Sequence, residues 1–189
     1  VMVPKNMHGF IDSLTRAVDS GVVPMARIDD AVRRILRVKF AMGLFEHPLG
    51  DPALLAEVGS DEHAAVAREA VQQSLVLLKN DEATLPLAAD TPTIFVAGEG
   101  ADDIGLQSGG WTIEWQGQAG DITEGTTLLD GIEAAVSADT QVFFDRLGRF
   151  RNASDASGNP INADVGIVVL SEQPYAEWEG DSATLALSN

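Results

Sequence analysis

The sequence contains no cysteine among its 189 residues, so disulfide bonds, thiolate chemistry and cysteine-bound zinc are excluded. It also contains no apolar run long enough to span a membrane. Only three histidines are present, and they lie far apart without the spacing of metal ligands. We therefore expect neither a transmembrane segment nor a metal site.

Positive charge is scarce. Twelve Lys and Arg stand against 29 Asp and Glu, which gives a formal net charge of −17. Residues 1–42 carry seven Lys or Arg and four Asp or Glu, whereas residues 43–189 carry five and twenty-five. Because an acidic surface repels phosphate backbones and anionic lipids, this composition disfavours nucleic-acid and membrane partners.

Apolar periodicity predicts both helices and strands. Asp29 and Asp30 are expected in the first turn of a helix, and Ser60 is expected to cap another. The final strand is apolar on both faces, which is typical of the middle of a helix-covered parallel sheet and indicates an α/β sandwich. The predicted helices lie within residues 9–21, 22–43, 61–80 and 125–137, and the predicted strands within 91–98, 140–145 and 164–170.

The segment 43–58 contains prolines and glycines at the point where the charge balance changes, and we interpret it as a linker. The chain begins at Val1 without Met and ends in mid-pattern, so we expect it to be a fragment. A polar loop precedes the last strand and includes the sequon that starts at Asn152, which matters only in a glycosylating pathway.

The glycines at 98 and 100 follow a predicted strand, as they would in a nucleotide-binding turn. The third glycine of that fingerprint is replaced by Asp103, and two acidic residues lie where a phosphate would bind. We favour a tight turn over a nucleotide site.

Trp111 and Trp115 lie within the glycine-bounded segment "SGGWTIEWQG". On a strand, a spacing of four would place both rings on the same face. Two interpretations remain open at this point: both rings belong to the core, or both stack on a sugar ring.

The segment "SEQPYAEWEGD" follows the last strand and places Glu172 and Glu177 near a Tyr and a Trp. Loops at the carboxyl ends of parallel strands are where α/β sheets place ligands. A carboxyl group beside aromatic rings loses part of its hydration, which favours its protonated form and suits an acid catalyst. A solvated acidic loop and a calcium loop are the alternatives, although the spacing differs from that of an EF-hand.

Together these segments resemble glycoside hydrolase family 3, the β-glucosidases and exo-β-glucanases. The tryptophan segment is similar to the exo-β-glucanase branch. The matching strings are "VMVPKN", "GVVPMARIDDAVRRILRVKFAMGLFEHPLGDP", "HAAVAREAVQQSLVLLKN", "LPL", "VAGEGADDIGLQSGGWTIEWQG" and "EQPYAEWEGD".

The resemblance implies an architecture. Residues 1–42 would be the C-terminal tail of a (β/α)8 barrel, residues 43–58 the interdomain linker, and residues 59–189 most of an α/β sandwich domain. The aspartate nucleophile of the family would lie in the barrel, upstream of Val1, so the missing barrel would be a partner in cis.

The resemblance also implies site residues. Glu177 matches the general acid/base, Trp115 the clamp of the +1 sugar, and Trp111 lines the same region. The expected reaction is retaining hydrolysis of β-glucosides or β-gluco-oligosaccharides without a metal or cofactor, in a secreted or periplasmic enzyme. The alternative is a non-catalytic carbohydrate-binding or partner-binding α/β module.

Overall fold

The computed structural model describes residues 2–151 and 153–186, so Asn152 of the sequon lies outside the described residues. The chain divides into two compact units, Val1–Leu77 and Leu78–Asn189. The predicted domain and linker boundaries remain predictions. Within the described residues, no helix is both long and apolar enough to cross a membrane.

The first unit begins with two amphipathic helices, as predicted. Helix α1 spans Met7–Asp19 and starts where the Asn6 side chain accepts a hydrogen bond from the Gly9 N–H at 3.0 Å. Helix α2 spans Met25–Ala41, and Gly43 follows it in the left-handed region at φ +66°. Local capping and apolar periodicity therefore suffice to define both elements.

The predicted placement of Asp29 and Asp30 in the first turn of α2 is wrong. The helix begins at Met25, so both aspartates lie in its second turn. There Asp30 pairs with Arg34 four residues later, with a nitrogen–oxygen distance of 3.0 Å. The side chains are exposed, so this pair contributes to helix stability through the usual weak i,i+4 interaction.

A 3₁₀ helix at Pro52–Glu57 lies in the segment interpreted as a linker, and helix α3 follows at Asp61–Ser74. The predicted cap is confirmed, because the Ser60 hydroxyl oxygen accepts a hydrogen bond from the His63 N–H at 3.3 Å. The predicted extension of α3 to residue 80 is wrong. After Ser74 the chain is extended, and four successive apolar residues at 75–78 have no helical periodicity.

The second unit is built on a three-stranded parallel sheet with the order β2-β1-β3. The strands are β1 (Thr93–Ala97), β2 (Gln141–Asp145) and β3 (Val165–Val168). Two helices, α4 (Ile104–Ser108) and α5 (Leu128–Ala135), lie between β1 and β2 in the order of the chain. This parallel sheet with helices confirms the α/β class.

The core of this unit forms around β1. Ile94 and Val96 are fully buried, and Leu129 of α5 joins them in the same cluster. Helix α5 begins with a reciprocal capping box in which the side chains of Thr127 and Asp130 each accept a hydrogen bond from the other residue's N–H. The cap and the buried leucine together fix where α5 meets the sheet.

The prediction that the last strand lies in the middle of the sheet is wrong. Within the described residues β3 is an edge strand and β1 is central. Val168 is 67% exposed, so one face of β3 is uncovered here despite its apolar sequence. An unbroken apolar run shows that a strand can be buried on both faces, but it does not identify the neighbouring strand.

The glycines at the end of β1 form a tight turn, as favoured from the sequence. Gly98 has φ +106°, and a Cβ atom there would overlap the carbonyl oxygen of Val169. A Cβ atom on Gly100 would lie 2.7 Å from the Cβ of Ser171. Both glycines thus leave room for the chain that continues from β3, which gives a structural reason for the motif.

Replacing Gly98 with alanine should lower the free energy of unfolding by about 3 kcal/mol or more, because the backbone at Val169 would have to move. Gly120→Ala is the matched control. Gly120 has φ +100° but open space around its Cβ position, so only backbone strain of about 1 kcal/mol is expected. Chemical denaturation of both variants measures the difference. Equal losses would mean that strain rather than overlap limits position 98.

Candidate active site

Two loops meet at the carboxyl end of the sheet. The tryptophan loop, residues 109–117, follows α4, and the acidic loop, residues 171–181, follows β3. A Cβ atom on Gly110 would overlap the carbonyl oxygen of Tyr175, and one on Gly117 would lie 2.8 Å from the Cβ of Pro174. The absence of side chains at these two glycines therefore permits the close contact between the loops.

The tryptophan loop is not a strand. The Trp111 N–H donates a hydrogen bond to the Trp115 carbonyl at 3.0 Å, which closes the loop on itself. Trp111 and Ile113 both have left-handed backbones, with φ of +63° and +62°. The rings of Trp111 and Trp115 still lie near each other, with centroids 6.3 Å apart.

Neither tryptophan belongs to the core. Trp111 is 68% exposed and Trp115 is 42% exposed. The interpretation of both rings as core residues is therefore wrong for the described chain. Exposed indole rings held on a closed loop are available to stack on a ligand.

Trp178 is a third tryptophan at the site, and the sequence indicates for it only a ring that could reduce the hydration of a nearby carboxyl group. Its ring meets that of Trp115 edge to face, with centroids 4.9 Å apart and planes at 79°. The Trp178 indole N–H donates to the Glu179 carboxylate at 3.1 Å. Its place directly after Glu177 was the one signal that pointed to it.

A cavity of about 520 Å³ lies between the two loops. Trp115 and Glu172 contribute to its wall, whereas Trp111 and Glu177 are not among the lining residues. The structure thus brings Trp115 to the cavity and leaves Trp111 and Glu177 beside it. The cavity is lined by Trp115, Gln116, Glu172, Gln173, Pro174, Tyr175, Trp178 and Glu179.

The carboxylates of the acidic loop differ in their surroundings. Glu172 accepts a hydrogen bond from the Tyr175 hydroxyl at 3.1 Å, and Glu179 accepts from Trp178. Glu177 is exposed, begins a 3₁₀ helix at Glu177–Gly180 and has φ +55°. Among the residues that the structure describes, no hydrogen bond engages its carboxylate.

The contact between Glu172 and Tyr175 changes the acidity of the phenol. The hydrogen bond that the Tyr175 hydroxyl donates to Glu172, the negative charge of that carboxylate and some loss of hydration all raise the pKa of Tyr175 above its ordinary value. The phenol therefore stays protonated as a donor throughout the neutral range.

Metal ligation has no candidate group here. Across residues 2–151 and 153–186, no group of three or more His, Cys, Asp or Glu side chains could hold an ion.

The comparison with known families decides the classification. The model of the glycosyl hydrolase family 3 C-terminal domain matches residues 75–189. The chain belongs to glycosyl hydrolase family 3. This confirms the resemblance seen in the sequence, and the family's C-terminal domain is an α/β domain like the second unit described here.

Two curated relatives of this family 3 chain are β-glucosidases by name. The lysosomal beta glucosidase of Dictyostelium discoideum is 32% identical over 98% of this chain and 24% of that protein. The periplasmic beta-glucosidase of Salmonella typhimurium is 37% identical over 80% of this chain and 18% of that protein. The chain thus spans about a quarter or less of the curated relatives it matches.

A solved structure supports the same classification of this family 3 chain. The exo-1,3/1,4-beta-glucanase of a Pseudoalteromonas species superposes with a TM-score of 0.81 and is 38% identical. The match covers 96% of this chain and 22% of that chain.

The raised pKa of Tyr175 can be measured directly, because the chain contains one tyrosine. The absorbance of tyrosinate should appear at higher pH than for a free phenol, since ionisation would place two negative charges together. Glu172→Gln should return the midpoint towards about 10. Glu179→Gln is the control, because Glu179 bonds Trp178 instead. A midpoint insensitive to Glu172→Gln would show that the two side chains do not interact in solution.

Proposed function

We propose that this chain is part of a retaining exo-acting β-glucosidase or β-glucan glucohydrolase that releases glucose from the non-reducing ends of β-glucosides. In this proposal the chain contributes the general acid/base, Glu177, and the clamp of the +1 sugar, Trp115. The observation that carries the proposal is the cavity lined by exposed indole rings from both loops and by carboxylates of the acidic loop.

The proposed architecture divides the chain into a barrel tail at residues 1–42, a linker at 43–58 and an α/β sandwich domain at 59–189. The small share of each relative that the chain spans supports a partner domain elsewhere in the whole protein. The exposed apolar side chains of α2, such as Ile35 and Phe40 at 58% and 63%, suit a helix that packs against further structure. That partner domain would supply the nucleophile.

The chemistry requires two carboxyl groups with different tasks. A carboxylate of the partner domain attacks the anomeric carbon while the Glu177 carboxylic acid protonates the departing glycosidic oxygen. The resulting glycosyl-enzyme is then hydrolysed by a water molecule that the Glu177 carboxylate deprotonates. The proton that Glu177 gives in the first step is recovered from water in the second, and the proposed mechanism uses no metal or organic cofactor.

Glu177 is assigned this role in preference to Glu172 because of their different contacts. The Glu172 carboxylate accepts a hydrogen bond from the Tyr175 hydroxyl, so a contact within the acidic loop already holds this side chain. Glu177 extends from an exposed turn that a partner domain would cover.

The aromatic groups would bind the sugar through its C–H faces. Trp115 offers a partly exposed ring that is supported edge-on by Trp178, and Trp111 lies within reach of the same ligand. A sugar ring that stacks on an indole makes apolar contacts, and these contacts do not fix how the sugar is rotated in the plane of the ring. Such stacking therefore tolerates several glycosidic linkages. The proposed substrates are therefore β-glucosides and β-gluco-oligosaccharides as a class.

The proposed location is outside the cytoplasm, secreted or periplasmic. The name of the Salmonella relative, a periplasmic beta-glucosidase, supports this location. The proposed substrates are polar oligosaccharides that do not cross a membrane unaided, so an enzyme in this location would reach them directly.

In the whole protein, Glu177→Gln should lose activity on cellobiose-type substrates far more than on activated aryl glucosides. A sugar alkoxide needs a proton to leave, whereas a nitrophenolate does not. The loss on unactivated substrates should be on the order of 10²–10⁴-fold. Azide should restore part of the turnover with aryl glucosides, because a small anion attacks the glycosyl-enzyme without a general base.

Glu172→Gln is the matched control for that experiment, since it removes a carboxylate of the same loop. It should be much milder and should respond little to azide. Steady-state kinetics with a series of leaving groups separates the two variants. If Glu172→Gln shows the leaving-group dependence and the azide response while Glu177→Gln does not, the acid is assigned to the wrong glutamate.

The isolated chain of residues 1–189 should have no measurable β-glucosidase activity. Without a nucleophile the double displacement cannot begin, and loss of one essential group typically costs several orders of magnitude. The assay is release of nitrophenol by the purified chain, compared with the whole protein. Turnover by the chain at a rate near that of the whole protein would refute this division of roles. Sugar binding without activity in the whole protein would favour the non-catalytic module instead.

A further inference from the structure

The side chain of Gln116 connects the two loops of the candidate site. Its amide oxygen accepts a hydrogen bond from the backbone N–H of Ala176 at 2.7 Å, across sixty positions of sequence. Gln116 directly follows Trp115, and Ala176 directly precedes Glu177. One hydrogen bond therefore joins the neighbour of the proposed clamp to the neighbour of the proposed acid.

This hydrogen bond lies in a partly buried position. Ala176 is 5% exposed, whereas the residues on either side of it are exposed. A backbone N–H buried without an acceptor is costly, so Gln116 satisfies a donor that water reaches poorly. The oxygen of the amide must face Ala176, because a backbone N–H can only donate.

The backbone of Glu177 needs such a restraint. Its φ of +55° lies in the left-handed region, which a residue with a Cβ adopts at a cost and keeps where its surroundings fix it. The direction of the carboxyl group follows from this backbone conformation. On the C-terminal side, the Asp181 N–H donates to the Trp178 carbonyl at 3.2 Å and closes the short turn. On the N-terminal side, Gln116 holds Ala176.

We infer that Gln116 is a positioning residue that sets the direction of the Glu177 carboxyl group relative to the Trp115 ring. The inference rests on the proposed function and extends it to a residue that transfers no proton. The same hydrogen bond couples the positions of Trp115 and Glu177. A displacement of the tryptophan loop would move Ala176, the residue before Glu177.

The experiment uses the whole protein with three variants. Gln116→Met keeps the length of the side chain and removes the acceptor, whereas Gln116→Glu keeps an acceptor oxygen at the same position. Gln118→Met is the matched control, because Gln118 is exposed on the same stretch of chain. Hydrogen exchange of peptides that cover residues 171–181 reports the Ala176 amide independently of activity.

Gln116→Met should speed exchange in these peptides, and Gln116→Glu should restore protection. In kinetics, Gln116→Met should lower kcat/KM about tenfold to a hundredfold for disaccharides, since a misplaced acid protonates the leaving oxygen poorly. Dinitrophenyl glucoside needs no proton, so its loss should be about threefold or less. Gln116→Glu should recover the ratio between the two substrates, and Gln118→Met should match the wild type.

Several results would overturn the inference. Equal losses on both substrates, or loss of folding in Gln116→Met without recovery in Gln116→Glu, would assign Gln116 a general structural role. An active wild type with Gln116→Met indistinguishable from it would refute the positioning role alone. A whole protein without β-glucosidase activity would refute the proposed function as well, and the exchange data would still show whether the hydrogen bond exists.

Discussion

The parallel pairing of β1 with β3 is the constraint on which the candidate site depends. The pairing continues beyond β3, where the Val169 N–H donates to the Ala97 carbonyl at 2.8 Å and brings the chain alongside Gly98. The acidic loop starts two residues later, so the sheet sets its origin. The buried side chains of Ile94 and Val96 anchor β1 in turn. Core packing thus places chemically active groups without contacting them.

The carboxylates of the acidic loop have different roles, some structural and one chemical. Several negative charges within a few residues repel one another, and hydrogen bonds to some of the carboxylates offset part of this cost. The Tyr175 hydroxyl binds Glu172, and the Trp178 indole binds Glu179. The two aromatic residues therefore serve a double purpose, because their polar atoms restrain carboxylates while their rings form the cavity wall. Glu177 makes neither of these contacts, and it is the carboxylate to which we assign proton transfer.

Elements with local determinants were predictable from the sequence. Helices α1, α2 and α5 follow from capping residues and apolar periodicity, and the glycine turn after β1 follows from its spacing. The edge position of β3 was not predictable, because it depends on which distant strand pairs with it. The end of α3 was missed although the four successive apolar residues at 75–78 have no helical periodicity. Within α2, the exact start decided where Asp29 and Asp30 lie, and boundaries are the least certain part of a periodic pattern.

In the candidate site, too, some residues could be predicted from the sequence and others could not. The carboxylates and tryptophans could be singled out by residue type and by the resemblance to a family. Gln116 could not, because a glutamine between a tryptophan and a glycine has no distinctive pattern and its partner lies sixty positions away. Trp178 was visible only as a neighbour of Glu177, since an edge-to-face contact with Trp115 requires the fold.

The left-handed backbone of Glu177 disfavours a glutamate on grounds of stability alone. Glycine and asparagine accept a φ of +55° more readily than glutamate does. Stability of the fold alone would therefore favour glycine or asparagine at position 177. Selection of variants for thermal stability would therefore tend to remove the side chain proposed as the proton donor. At this position, a library screened for stability needs a second screen for turnover.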